Sequence, residues 1–170
     1  MYSRILVPLD GTAGAERVLP YVEPLAERFG AALTLLEATP TPADIAAAEA
    51  AVGAVPISPP LIDPDQVAGA EEAAAADYLG RLADRLRGRG FVVERALAEG
   101  PPADAIVAHA ERIGADLIAM ATHGRGGLGR LIFGSVSDEV VRHAPCPVLL
   151  VRADDELAAG EEAAAAGRLP

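Results

Sequence analysis

The chain has 170 residues, 51% of them hydrophobic and 4% aromatic, and its 25 acidic against 14 basic side chains leave a net charge of −11. That length suits a single domain able to bury about two-thirds of its unfolded surface, around a core of Val, Leu, Ile and Ala. The charge excludes nonspecific nucleic-acid binding, which works by cationic neutralisation of phosphates, and disfavours anionic membrane surfaces. No apolar run reaches the roughly 18 residues of a membrane span, and the opening MYSRILVPLD lacks the regions of a signal peptide. A soluble cytoplasmic protein is therefore expected. Cys146, the single cysteine, has no partner for an internal disulfide and reads as a packed small residue.

In chain order, Arg4 to Leu9 is a short continuous apolar run suited to a central parallel strand. After the Asp10-Gly11 turn, Gly14 to Phe29 carries Val18, Val22, Leu25, Ala26 and Phe29 at helical spacing. Pro20 and Pro24 fall inside this span, so either a kink or a local failure of the helical period is expected there. Gly30 ends the helix, and Leu33 to Leu36 is the second strand. Residues 38–68 break pattern with six prolines around an Ala-rich patch, of which Ala43 to Ala51 is predicted as a short helix. A lid or partner-binding insertion is one reading of that stretch; a mobile connector is the preferred one.

Gly69 to Arg89 is predicted as a helix with Leu79, Leu82, Ala83 and Leu86 on one side, ended by Gly90. Phe91 to Ala98 is the third strand, and Gly100-Pro101-Pro102 turns into a helix from Ala103 to Ile113. Leu117 to Thr122 is the fourth strand, followed by a glycine-rich loop and a helix opened by Gly134 and Ser135. Ser135 and Asp138 have the spacing of a capping box. Val148 to Val151 is the last strand, and 153–170 reads as an acidic, disordered tail. Strands alternating with helices make this an α/β protein with an open parallel sheet.

A glycine-rich loop feeding a helix N-terminus is an anion site, because the first N–H groups of a helix are unpaired and its dipole is positive there. A Walker loop is excluded, since it needs a Lys and the chain has none. Gly124-Arg125-Gly126-Gly127-Leu128-Gly129 matches G-x-G-x-x-G, but a dinucleotide fingerprint needs an acidic residue about 20 positions on, where the chain has Leu149 in an apolar strand. A third pattern fits: Gly124, nine residues, then Gly134-Ser135.

That spacing, the wider phrase THGRGGLGRLIFGSVSDEVVRHAPCPVLLVR and the opening ILVPLDGT resemble the universal stress protein family. The family pattern has a further glycine where this chain has Ala121. The resemblance implies a domain over 1–152 with five parallel strands in the order 3-2-1-4-5, an order periodicity alone could not supply. It implies ATP (or AMP or ADP), with Mg2+, bound where strands one and four part. Pro8 and Leu9 would wall the base and ribose, and Ala38 would offer backbone groups to the adenine. Asp10 would meet a metal or its water. Ala121, His123, Gly124, Arg125, Gly134, Ser135 and Val136 would line the ribose and phosphates. Two copies would pair through strand five.

A nucleotide-binding regulatory protein is the first functional reading, and a slow ATPase or nucleotidyl-transfer enzyme the second. An interaction module that has lost its nucleotide is the third. Catalysis wants a positioned base beside the phosphates, and the loop offers only His123 and arginines, which favours binding over turnover.

Overall fold

A computed structural model describes residues 2–51, 63–122 and 134–152. Its strands are β1 (Arg4–Leu9), β2 (Ala32–Thr39), β3 (Val93–Glu99), β4 (Leu117–Thr122) and β5 (Val148–Arg152). Its helices are α1 (Ala13–Glu16), α2 (Leu19–Phe29), α3 (Pro42–Ala51), α4 (Pro64–Arg87), α5 (Pro102–Ile113) and α6 (Ser135–His143). All neighbouring strands are parallel, in the order β3-β2-β1-β4-β5, as the resemblance implied.

The apolar runs of β1 and β4 are continuous, and that of β2 nearly so, because both faces of the sheet are covered. Successive side chains alternate between two cores. Ile5, Val7, Leu33, Leu35, Leu117 and Ala119 pack with α1, α2 and α4, through Val18, Val22, Leu79, Leu82 and Leu86 among others. Leu6, Leu36, Ile118 and Met120 pack with α5 and α6, through Ile106, Ala110 and Val140.

The single helix expected over Gly14 to Phe29 is two helices. Pro20 has no N–H to bond the Glu16 carbonyl, so the ladder breaks after α1 and restarts at Val18, with Pro20 in the first turn of α2 where it is tolerated. Arg17 and Val18 bridge the gap with bonds three residues back, to Gly14 and Ala15. Pro24 stays inside α2. Gly30 ends α2 and Gly114 ends α5, both with positive φ, and each helix is closed by a bond from the following Ala31 or Ala115 to the fifth residue back.

Two helices start where short signals place them. Thr41 and Asp44 form a reciprocal capping box at α3: Thr41 N–H and Oγ1 donate to Asp44 Oδ2, and Asp44 N–H donates to Thr41 Oγ1. Asp63 caps α4 through Asp65 N–H at 3.1 Å, with Pro64 at the first helical position. α4 therefore begins five residues before the expected Gly69. Arg85 pairs with Glu16, and Arg89 forks onto Glu23, tying α4 to α1 and the turn after α4 to α2.

Candidate functional site

The ladders locate the site. β1 pairs with β2 over six residues, and β4 with β5 over five. β1 and β4 share only Ile5↔Leu117 and Leu6↔Ile118. Beyond those pairs the two strands part, and a crevice opens at the carboxyl edge of the sheet, where the strand order reverses direction. It holds a cavity of about 360 Å3, within the range of small-molecule sites.

The side chains follow from strand alternation. Pro8, Leu36 and Met120 line the cavity from the α5/α6 side, together with Ile106 and Pro102 of α5. Leu9, Ala15 and Ala121 line it from the α1 side. Ala38 lies one residue past the end of the β1–β2 ladder, while β2 and β3 stay paired through Thr39↔Glu99. Gly100 N–H donates to the Thr39 carbonyl, which therefore faces β3. Carbonyls alternate along an extended strand, so that of Ala38 is turned toward the crevice.

The rim is set by helix ends. α1 is capped by Thr12, whose Oγ1 accepts from Ala15 N–H at 3.2 Å. α5 and α6, by contrast, have no side-chain cap. α5 opens with Pro102, which has no N–H, so α6 presents the fuller set of unpaired donors. The capping box expected at Ser135 and Asp138 does not form. Gly134 is the N-cap and Ser135 the first helical residue, while the Asp138 carboxylate is held by Arg142 at 2.9 Å. Gly134, Ser135 and Val136 all line the cavity, beside the buried Ser137. Gly134 has φ −56°, and among the described residues an added Cβ would meet only the Ser137 Oγ at 3.8 Å. Neither its backbone angle nor packing among the described residues requires that glycine.

Asp10 stands at the end of β1, where its Oδ1 accepts from Thr12 Oγ1 at 2.6 Å and from Thr12 N–H at 3.0 Å. Among the described residues no group of three or more His, Cys, Asp or Glu side chains could hold a metal ion. A resident metal does not fit that donor set. Mg2+ carried in on phosphates does, because it keeps waters and needs only one or two carboxylates. Ala121 has an ordinary strand backbone, since no described non-glycine residue has positive φ. His123, Gly124 and Arg125 lie outside the described residues, as do Arg130 and the tail.

Sequence reasoning missed Glu37 and Tyr78. Glu37 interrupts the apolar run of β2 and shares the α1/α4 face with Leu33 and Leu35. Burial, and then the Asp10 charge, push its carboxyl above the usual range. Tyr78 of α4 is pushed up in the same way, by burial and by the Glu16, Glu37 and Asp10 carboxylates. The Glu37 Oε2 and the Tyr78 hydroxyl are both buried and make no hydrogen bond of standard geometry. The one available signal was a charged residue inside a strand.

An open parallel sheet whose switch-point crevice meets an uncapped helix N-terminus defines a doubly wound α/β domain of the nucleotide-binding kind. The profile of the universal stress protein family matches residues 1–152, and the chain belongs to that family. It is 46% identical over 63 residues to universal stress protein MJ0531 of Methanocaldococcus jannaschii, a match spanning 37% of each chain. Universal stress protein YxiE of Bacillus subtilis is 29% identical over 156 residues, 89% of this chain and all of that one. Among solved structures, hypothetical protein MJ0577 superposes with a TM-score of 0.72 at 26% identity, covering 92% of this chain and 99% of the other. An Arabidopsis thaliana family member with AMP bound superposes at 0.61 and 16% identity, covering 91% and 94%. No described helix is long and apolar enough to cross a membrane.

Proposed function

We propose that this chain is a cytoplasmic regulatory protein that binds ATP, or AMP or ADP, in the crevice between β1 and β4. The observation that carries the reading is the convergence of the apolar slot beside Leu36, Ile106 and Met120 with the open N-terminus of α6. The slot suits a flat base, the Ala38 carbonyl can accept from its exocyclic amine, and the α6 donors suit phosphate. Asp10 is the one ionisable side chain among the described residues of the lining. With no acid–base pair there, binding is favoured over turnover. Slow hydrolysis through residues of the loop is the second reading, distinguished by single-turnover assay. Thermal unfolding with and without ATP and Mg2+ tests the main reading. Ligand at a hundredfold of its Kd should add about 2.7 kcal/mol, roughly 5–10 °C for a domain this size; no shift with any adenine nucleotide would refute it.

Assembly through β5 belongs to the same proposal. Both β3 and β5 are edge strands. β3 is guarded, because Arg87 Nε and Nη2 donate to the outward Val93 carbonyl and Glu94, Arg95 and Glu99 punctuate it. β5 reads VLLVR, and among the described residues no such guard sits on its outward Val148 and Leu150 peptides. Uncovered apolar edges are templates for pairing, and two copies joined there make a two-fold dimer. Leu150→Pro removes an outward N–H and should shift the protein toward monomer in sedimentation; a monomeric wild type at tens of micromolar would end this proposal.

A further inference from the structure

We infer that Thr12 is a positioning residue, which sets the Asp10 carboxylate toward a cation carried on the phosphates of the nucleotide. The inference rests on the nucleotide reading above and deepens it. Thr12 binds one carboxylate oxygen twice: Oγ1 donates to Asp10 Oδ1 at 2.6 Å, and the Thr12 N–H donates to the same atom at 3.0 Å. A hydroxyl has a single proton. Because Ala15 N–H donates to Thr12 Oγ1 at 3.2 Å, that proton is directed away from the helix and onto Asp10. Two donors on one oxygen pin the carboxylate's torsion, a constraint a single bond would not impose. Asp10 and Ala15 both line the cavity. Thr12 therefore joins two points of its rim, the carboxylate and the first turn of α1, through one oxygen.

A purely local turn and helix cap would account for the same bonds without any bearing on ligand, so the test compares affinities within one protein. Thr12→Val keeps the shape and deletes the hydroxyl, whereas Thr12→Ser keeps it. For each variant, calorimetry gives the affinity for ATP with and without Mg2+ and the affinity for adenosine. The Mg2+-dependent gain in ATP affinity should fall about three- to tenfold in Thr12→Val, survive in Thr12→Ser and vanish in Asp10→Asn. Adenosine affinity should stay the same throughout. Thr12→Val keeping the full gain, or weakening adenosine by the same factor as Mg2+-ATP, would overturn the inference. An unchanged gain in Asp10→Asn would overturn it too and leave nucleotide binding standing. Failure of wild type to bind adenosine, AMP or ATP would instead bring down the site reading and this inference together.

Discussion

On β2, neighbouring residues serve opposite faces. Leu36 and Ala38 line the open cavity on the α5/α6 side, whereas Glu37 turns to the α1/α4 side with Tyr78. At Leu36 and Ala38 the first face is apolar and borders the cavity; beside Glu37 the second buries two polar atoms that make no hydrogen bond of standard geometry. Buried polar groups and shifted ionisation therefore mark a different face from the proposed site. The space arises where β1 and β4 stop pairing. Perturbed titration is a probabilistic pointer to function, whereas the site proposed here follows strand separation.

The comparison can be broken most strongly at the open face. Gly134→Asp places a carboxylate at the uncapped start of α6, where phosphate is proposed to sit. It should abolish the nucleotide-induced thermal shift of roughly 5–10 °C with little change in the unliganded protein, because a Cβ at Gly134 meets no described residue closer than 3.8 Å. A persisting shift in melting scans would move the phosphates away from α6.

A smaller effect is expected on the α1/α4 face. The folded carboxyl of Glu37 is raised above its ordinary value, so its ionised form opposes folding. That cost is present above the folded pKa and disappears as pH falls below the unfolded value. Glu37→Gln should stabilise the protein at pH 7 by about 1 kcal/mol, and the advantage should vanish near pH 4 in urea titrations. Nucleotide affinity should barely change. A pH-independent gain would mean that Glu37 is not the group responsible.

The smallest effect sharpens the comparison. Ala121 lies at the crevice with an unstrained backbone. Ala121→Gly should therefore relieve one methyl contact and leave the thermal shift equal or slightly larger. A lost shift, measured in the same melting scans, would show that the methyl supports the ligand rather than crowding it.

Much of this was legible in the sequence where physics is local. Arg4–Leu9 and Leu117–Thr122 begin and end as strands where their apolar runs do. Pro20 and Pro24 flagged trouble in the first helix but not its form, because which proline breaks the ladder depends on where the helix restarts. Thr41-Pro42-Ala43-Asp44 carries a start signal as plain as that of Ser135, yet a capping box forms only at the former. At Ser135 the chain enters with Gly134 as N-cap, which moves the serine inside the helix. Strand order came with the family resemblance. The meeting of Glu37 with Tyr78 was hidden because it depends on α4 packing across β2, far along the chain.

The short β1–β4 ladder has a mechanical consequence. The sheet is two plates, β3-β2-β1 and β4-β5, stitched by two residue pairs at one end and open at the other. Pro8, Leu9 and Ala38 belong to one plate, and Met120 and Ala121 to the other. Whatever fills the crevice touches both, and so acts as the missing stitches of the seam.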